Sequence, residues 1–356
     1  MTHYKVTIKS LPSEVFIMII EILRHKDALN LCDALHVPEQ VAAQYCEIDN
    51  DWDDIYEILR LINLKPNSYK FLLKNKRFQT EADSYEKTEA ACKTFDMEFV
   101  KSYIEEFKLD LNEALSAAAS VGFTHAVKLL LSDSRVDPSA DDNKALRYAS
   151  QEGHVEIVKL LLCDPRVDPS ADDNEALRYA ANEGHEEIVK LLLCDPCVDP
   201  SAWDNEALIL AAQGGHVEIV KLLLCDSRVD PSADDNEALR YAANEGYEEI
   251  VKLLLCDSRV DPSAWDNGAL RNAAHQGHEE IVKLLLCDSR VDPSAGNNGA
   301  LRYAAEEGHV EIVKLLLCDS RVDPKANNYK ALISAVQNRH VAVANLLVAD
   351  PRSVRR

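Results

Sequence analysis

Over residues 173–200, DNEALRYAANEGHEEIVKLLLCDPCVDP, apolar positions fall at helical spacing twice in succession. Ala176, Leu177, Ala180 and Ala181 mark one face of a first helix, and their small side chains allow close approach to a neighbour. Ile188, Val189, Leu191, Leu192 and Leu193 supply most of the apolar area of a second. The pattern predicts a first helix ending at 183, with Asp173 or Asn174 as its N-cap, and a second from 186 to about 194. Gly184 lies between the two, where a positive φ costs glycine little. Asp195-Pro196 closes the second helix, because a proline ring disfavours helical backbone at the residue before it. Val198-Asp199-Pro200 then begins an extended link.

The same pattern returns at a fixed step. Val-Asp-Pro begins at Val136, Val167, Val198, Val229, Val260, Val291 and Val322, each 31 residues after the last. Ala-Leu keeps that step from Ala114 through Ala145, Ala176, Ala207, Ala238, Ala269 and Ala300 to Ala331. Seven of the eleven glycines share one column: Gly122, Gly153, Gly184, Gly215, Gly246, Gly277 and Gly308. One such unit cannot bury its apolar face alone, so the period implies an all-α solenoid of stacked helix–turn–helix–loop units.

Within this unit, EALRYAANEGHEEIVKLLL resembles the ankyrin repeat, whose pattern runs TPLHxAAxxGHxxVVxLLL. Glu175-Ala176-Leu177-Arg178 stands where the family has TPLH, while AA, GH and LLL match directly. The 31-residue unit implies an inter-repeat loop about two residues shorter than the family's. The resemblance covers residues 110–350 as eight units, with residues 81–109 as a degenerate one. The last unit replaces its glycine with Arg339 and places Asn345 in the lysine column, as terminal repeats of a stack often depart from the rest. The expected domains are a helical segment at 1–40, a helical connector at 41–95 that is open to reading as further degenerate repeats, and the repeat domain at 96–356.

The first 37 residues do not follow the period. LPSEVFIMIIEILRHKDALNLC resembles the first half of the F-box, which opens with Leu-Pro-x-Glu and continues with spaced Ile and Leu. The resemblance implies docking on the Skp adaptor of a ubiquitin ligase through Leu11, Pro12, Ile19, Leu23, Leu29 and Leu31. The second half departs, with His36-Val37-Pro38 where the family has a valine, a basic pair and a tryptophan. The competing reading is a hydrophobic hairpin that caps the open end of the stack.

Net charge is -22, most of the excess acid lying in the repeats. That argues against nucleic-acid binding, which needs a basic surface. The aliphatic stretch from Val15 to Ile20 is far short of the ~20 residues that span a bilayer, and charged residues occupy the place of a signal peptide's apolar core. A soluble, cytoplasmic protein is expected, with the nucleus as a second compartment, monomeric outside its complexes. Six of ten cysteines (Cys163, Cys194, Cys225, Cys256, Cys287 and Cys318) share one column. Packed helices lie roughly 8–10 Å apart, beyond the ~7 Å Cα limit for a disulfide. They read as reduced, partly buried small apolar residues. His154, His185, His216, His278, His309 and His340 share a column with Phe123 and Tyr247, which excludes a ligand set; they read as turn residues that bond neighbouring backbone. No catalytic residues, metal site or cofactor is expected, and the chain reads as a non-catalytic adaptor.

Partner-binding residues are sought where the repeats vary. The column after Ser-Ala holds Asp141, Asp172, Trp203, Asp234, Trp265, Gly296 and Asn327. The ankyrin resemblance places it at the loop tips beside the concave face that binds protein partners. Trp203 and Trp265, two units apart, are expected roughly 20 Å from one another on one side. A second variable column holds Gln151, Asn182, Gln213, Asn244, His275 and Glu306. Together they predict an acidic, amide-rich face with two aromatic points, suited to a basic or mixed-charge protein; the alternative is that each tryptophan packs on its neighbouring loop.

Overall fold

The computed structural model describes residues 97–354, together with residues 87, 89, 91 and 92. Leu11, Pro12, Ile19, Leu23, Leu29 and Leu31 lie outside the described residues. No strand occurs among those described. They fall in two compact units, one ending at Asp168 and the other beginning at Pro169.

The first unit contains α1 (Met97–Phe107), α2 (Leu111–Val121), α3 (Thr124–Leu131), α4 (Ala140–Gln151) and α5 (Val155–Leu162). Asp110 caps α2, its Oδ1 accepting the backbone N–H groups of Asn112 at 2.8 Å and Glu113 at 3.2 Å. α2 packs on α3 and α4, and α3 on α5.

The second unit alternates first helices, α6 (Ala171–Glu183), α8 (Ala202–Gly214), α10 (Ala233–Glu245), α12 (Ala264–Gln276), α14 (Ala295–Glu307) and α16 (Ala326–Gln337), with second helices. Those are α7 (Glu186–Leu193), α9 (Val217–Leu224), α11 (Glu248–Cys256), α13 (Glu279–Cys287), α15 (Val310–Cys318) and α17 (Val341–Ala349), followed by the short α18 (Pro351–Val354). Consecutive first helices pack on one another and form one layer, and consecutive second helices form another. The core repeats with the sequence. In one unit Ala238, Leu239, Ala242, Ala243, Ile250, Val251 and Leu254 are buried, and Val260 seals the loop below them.

The glycine column does what its position requires. Gly246 has φ +87° and closes α10 with its N–H on the Ala242 carbonyl. The His278 ring of the next repeat lies directly over it, so a Cβ there would come within 2.6 Å of the imidazole. That imidazole bonds through Nε2 to the Asn244 carbonyl at 2.9 Å, and His216 and His309 bond the carbonyls of Asn182 and His275 in the same way. Tyr247 occupies the same place over Gly215. In the first unit His154 reaches the Ser120 carbonyl.

The loop differs from the extended link and side-chain N-cap expected of it. After Ser232 and Ala233 the backbone makes a left-handed turn through Asp234, Asp235 and Asn236, with φ of 48°, 52° and 58°, before the right-handed helix proceeds. Asp and Asn tolerate this region because a short polar side chain adds little steric cost. The same three columns turn left-handed in every first helix from α4 to α16. The third residue does not cap its own helix. Where it is asparagine in the second unit it is buried, and its amide oxygen accepts the backbone N–H of the aspartate 25 residues later: Asn174 from Asp199, Asn205 from Asp230, Asn236 from Asp261, Asn267 from Asp292 and Asn298 from Asp323, all within 2.6–2.8 Å. In the first unit Asn112 and Asn143 do the same for Asp137 and Asp168. A buried amide needs such partners, and here they tie each repeat to the next. The aspartate that donates to the rung then folds the loop back with its side chain, Asp230 Oδ1 taking the N–H and hydroxyl of Ser232.

A second ladder runs along the loops. Asp226 accepts the Arg228 side chain at Nε and Nη2, while Nη1 of that arginine donates to the Val198 carbonyl of the preceding repeat. Asp257–Arg259, Asp288–Arg290, Asp319–Arg321 and Asp350–Arg352 repeat the arrangement. Bonds from the arginine hold each of these carboxyls below the ordinary range, and at Asp133, paired with Arg135, the value falls to about 2. The folded carboxyls therefore release their protons more easily than unfolded ones, which titrate at about 3.9. The stability they confer is complete above that range and drains as pH falls through the folded values. Melting temperature followed by circular dichroism should be flat from pH 7 to about 5 and drop steeply below about 4. A variant carrying Asp226→Asn and Asp257→Asn should start lower at pH 7 and lose less on acidification.

Candidate partner-binding face

The exposed edge of each first helix carries three rows. The tip row contains Asp141, Asp172, Trp203, Asp234 and Trp265, all exposed. Trp203 and Trp265 adopt φ of 52° and 55° and leave 62% and 56% of their surface in water, so neither ring is consumed by packing. Each is nevertheless held. The Trp203 indole N–H donates to Asp173 at 2.8 Å, and the Arg178 guanidinium lies 4.9 Å from its ring centre. Arg240 and Arg271 lie 4.7 and 5.1 Å from the ring of Trp265. Cation–π contact of this kind fixes an aromatic side chain without covering it.

The middle row, Arg147, Arg178, Arg240, Arg271 and Arg302, was not among the residues expected from the sequence. Its signal was present as the third letter of Ala-Leu-Arg, a column that also varies, to Ile209 and Ile333. These arginines donate to tip carbonyls: Arg147 to Asp141 at 2.9 Å, Arg240 to Asp234 and Asp235 at 3.0 and 3.2 Å, and Arg271 to Trp265 at 2.9 Å. The left-handed turn leaves those carbonyls outside the helix ladder, and the guanidinium fork satisfies them. The expected acidic face is thus acidic at its tips and basic along its middle.

The third row, Gln151, Asn182, Gln213, Asn244, His275 and Glu306, lies at the far end of the same helices. Asn182 and Gln213 are exposed and the others half-buried. The carbonyls of Asn182, Asn244 and His275 receive the histidines described above, which leaves their side chains free to differ between repeats. Gln276 donates to Asn244 Oδ1 at 3.3 Å, and His275 stands edge-on to Tyr303 and 3.7 Å from Glu307. Tip and third row are ten positions apart, on the order of 15 Å at 1.5 Å per residue, so they border the face rather than converge on one point.

The cysteine column differs from expectation. Cys163, Cys194, Cys225, Cys256, Cys287 and Cys318 are unpaired but exposed rather than partly buried, because each follows the last buried turn of its helix and points past the core. Cys197, which stands in the arginine column of the loop ladder, is exposed as well. Cys92 is buried, and loss of water pushes its thiol up to about 12. Among the described residues no group of three His, Cys, Asp or Glu side chains could hold a metal ion, and no helix is long and apolar enough to cross a membrane.

The family model for Ankyrin repeats (3 copies) matches residues 88–173, 177–266 and 269–355. No curated protein matches the chain. The matched stretches take in well over half of the sequence, and they coincide with the helix pairs joined by the asparagine, histidine and arginine ladders. By that match this chain belongs to the ankyrin-repeat family, whose members are typically non-catalytic scaffolds for protein interaction.

Proposed function

We propose that the first-helix face of residues 171–337 binds a protein target, with Trp203 and Trp265 as its anchors. The observation that carries this reading is their state: over half exposed, yet each held by a guanidinium from its own or the preceding repeat. A tryptophan fixed in place loses little entropy on burial and brings a large area to an interface. Within that unit Asp172 and Asp234 at the tips and the row Asn182, Gln213, Asn244, His275 and Glu306 would supply the polar rim; Asp141 and Gln151 hold the corresponding positions of the first unit.

The chain's own role is then that of an adaptor, and the finer reading is a substrate receptor of a Skp–cullin–F-box ligase. Its support is the sequence pattern at Leu11, Pro12, Ile19, Leu23, Leu29 and Leu31. Such a receptor supplies position and effective concentration rather than chemistry. A plain scaffold or inhibitor, with residues 1–40 as a cap, is the second reading, favoured by the departure of the motif after His36.

One capture experiment addresses both levels. The full chain is used as bait, beside a Trp203→Ala, Trp265→Ala variant and a Leu11→Ala, Ile19→Ala, Leu23→Ala variant, each checked for native helicity. Loss of a captured target in the tryptophan variant alone, and loss of purified Skp adaptor in the leucine–isoleucine variant alone, is the expected outcome. Skp failing to bind the unaltered chain removes the ligase reading, and capture unaffected by both tryptophan changes removes the anchors.

A further inference from the structure

The arginine row is balanced at one end of the second unit and stripped of its counter-charges at the other. Arg178 forms an ion pair with Glu206, 28 residues later, on the next first helix. The residue 28 positions after Arg240 is Gly268, after Arg271 it is Gly299, and after Arg302 it is Lys330. Two carboxylates are therefore deleted and a third replaced by a cation. The vacated space is taken by the arginine stems: a Cβ on Gly268 would meet Arg240 Cδ at 2.9 Å, and one on Gly299 would meet Arg271 Cδ at 2.7 Å.

What remains for each guanidinium differs. Arg240 keeps Glu237 of its own helix at 3.7 Å. Neither Arg271 nor Arg302 makes an ion pair among the described residues, and the Nε–H of each is buried without a hydrogen-bond acceptor. The tips change in the same direction, from Asp172-Asp173 and Asp234-Asp235 to Trp265-Asp266, Gly296-Asn297 and Asn327-Asn328. Asp266 is the carboxylate left at these tips, and it does not pair with Arg271; Glu307 turns to His275. The rings of Trp265 and Tyr303 lie 5.1 and 5.3 Å from the guanidinium groups of Arg271 and Arg302. In a chain of net charge -22, this is a stretch of first-helix face where cations lack carboxylate partners and sit beside exposed aromatic surface.

We propose that Arg271, Arg302 and Lys330, beside Trp265, form a docking site for a carboxylate-rich segment of the protein target. The proposal rests on the protein-binding reading above and specifies its chemistry. A guanidinium whose Nη groups face no carboxylate can take one from a partner in two-pronged geometry, the buried Nε–H groups taking no part. At ~0.15 M salt the Debye length is about 8 Å, so the acidic remainder of the surface is screened and the local cations decide. An acidic segment of a few residues spans the three adjacent first helices, packed roughly 8–10 Å apart, and ends near them. A longer polyanion such as nucleic acid would run onto acidic surface on either side.

The test is fluorescence anisotropy of a fluorescein-labelled Glu-Asp octapeptide against the full chain at 0.15 M salt, with the matching Gln-Asn octapeptide and a labelled oligo-dT as comparisons. The Glu-Asp peptide should bind saturably and weaken as salt rises to 0.5 M, and the other two should not bind. Arg271→Gln with Arg302→Gln should weaken binding at least tenfold. Gly299→Glu, which returns the carboxylate found at Glu206, should do the same by a different route. Lys252→Gln with Lys283→Gln removes equal charge from the second helices and should change affinity less than twofold. Absence of saturable binding, tighter binding of oligo-dT, or equal loss in the lysine variant overturns the proposal. If the peptide fails while capture still depends on Trp203 and Trp265, the acidic docking site falls and protein binding by the stack stands; tryptophan-independent capture with the peptide still bound has the reverse meaning.

Discussion

Replacing Asn236 with alanine is expected to destabilise the second unit by about 2–3 kcal/mol, from two sources of similar size. The Asp261 N–H loses its acceptor within the loop, a part-buried bond whose loss costs about 0.5–1.5 kcal/mol. Alanine must also adopt φ near 58°, where a Cβ costs roughly 1–2 kcal/mol and no local side-chain bond compensates. Asn236→Gly separates the two, since glycine accepts the left-handed backbone and loses only the hydrogen bond. Urea denaturation followed by circular dichroism should rank wild type above Asn236→Gly and that above Asn236→Ala. Equal stability of all three would mean that the ladder contributes nothing beyond the apolar packing. Because each repeat touches chiefly its neighbours, the transition should also broaden as the array divides at the damaged rung.

Gly246→Ala should be comparably harmful, by about 2–4 kcal/mol, for a reason that involves the following repeat. Alanine at φ +87° is strained, and its methyl group would lie 2.6 Å from the His278 ring, which cannot move without losing its bond to the Asn244 carbonyl. The two parts can be resolved by a double-mutant cycle with His278→Ala. The ring's removal should relieve the collision and leave the backbone cost, so the two changes together should destabilise by less than the sum of each alone. Strict additivity would show that ring and glycine do not act on one another.

Most of the architecture was legible from the repeat itself. A 31-residue period, alanine-rich first helices, aliphatic second helices and a glycine between them determine which faces are buried, and Gly246 and His278 stand where that reasoning puts them. The loop was legible only in part. Asp-Asp-Asn reads as a helix cap, and the same residues are also those most tolerant of left-handed backbone; the choice depends on what the asparagine meets 25 residues away. One signal could have decided it, namely that asparagine holds this column from Asn112 to Asn298 while its two predecessors vary. A cap would tolerate serine or aspartate there, whereas a buried amide acceptor beside a left-handed bend would not. The charge of the first-helix face was legible only in part, for a related reason. Arg178 is answered by Glu206 in a different column of the next repeat, so the balance of the face appears only when adjacent helices are placed side by side.

The asparagine rungs also bear on how the second unit would carry mechanical load. The five rungs from Asn174 to Asn298 have nearly the same length and the same span, and the arginine rungs from Arg228 to Arg352 run beside them. Tension drawn along the chain would therefore meet a series of near-equal fasteners rather than one strong clamp. Each that opens releases a 31-residue length of chain, about 100 Å at 3.3–3.6 Å per residue. A tether that yields in even increments, and re-forms rung by rung when slack returns, keeps a bound load within reach over long extensions.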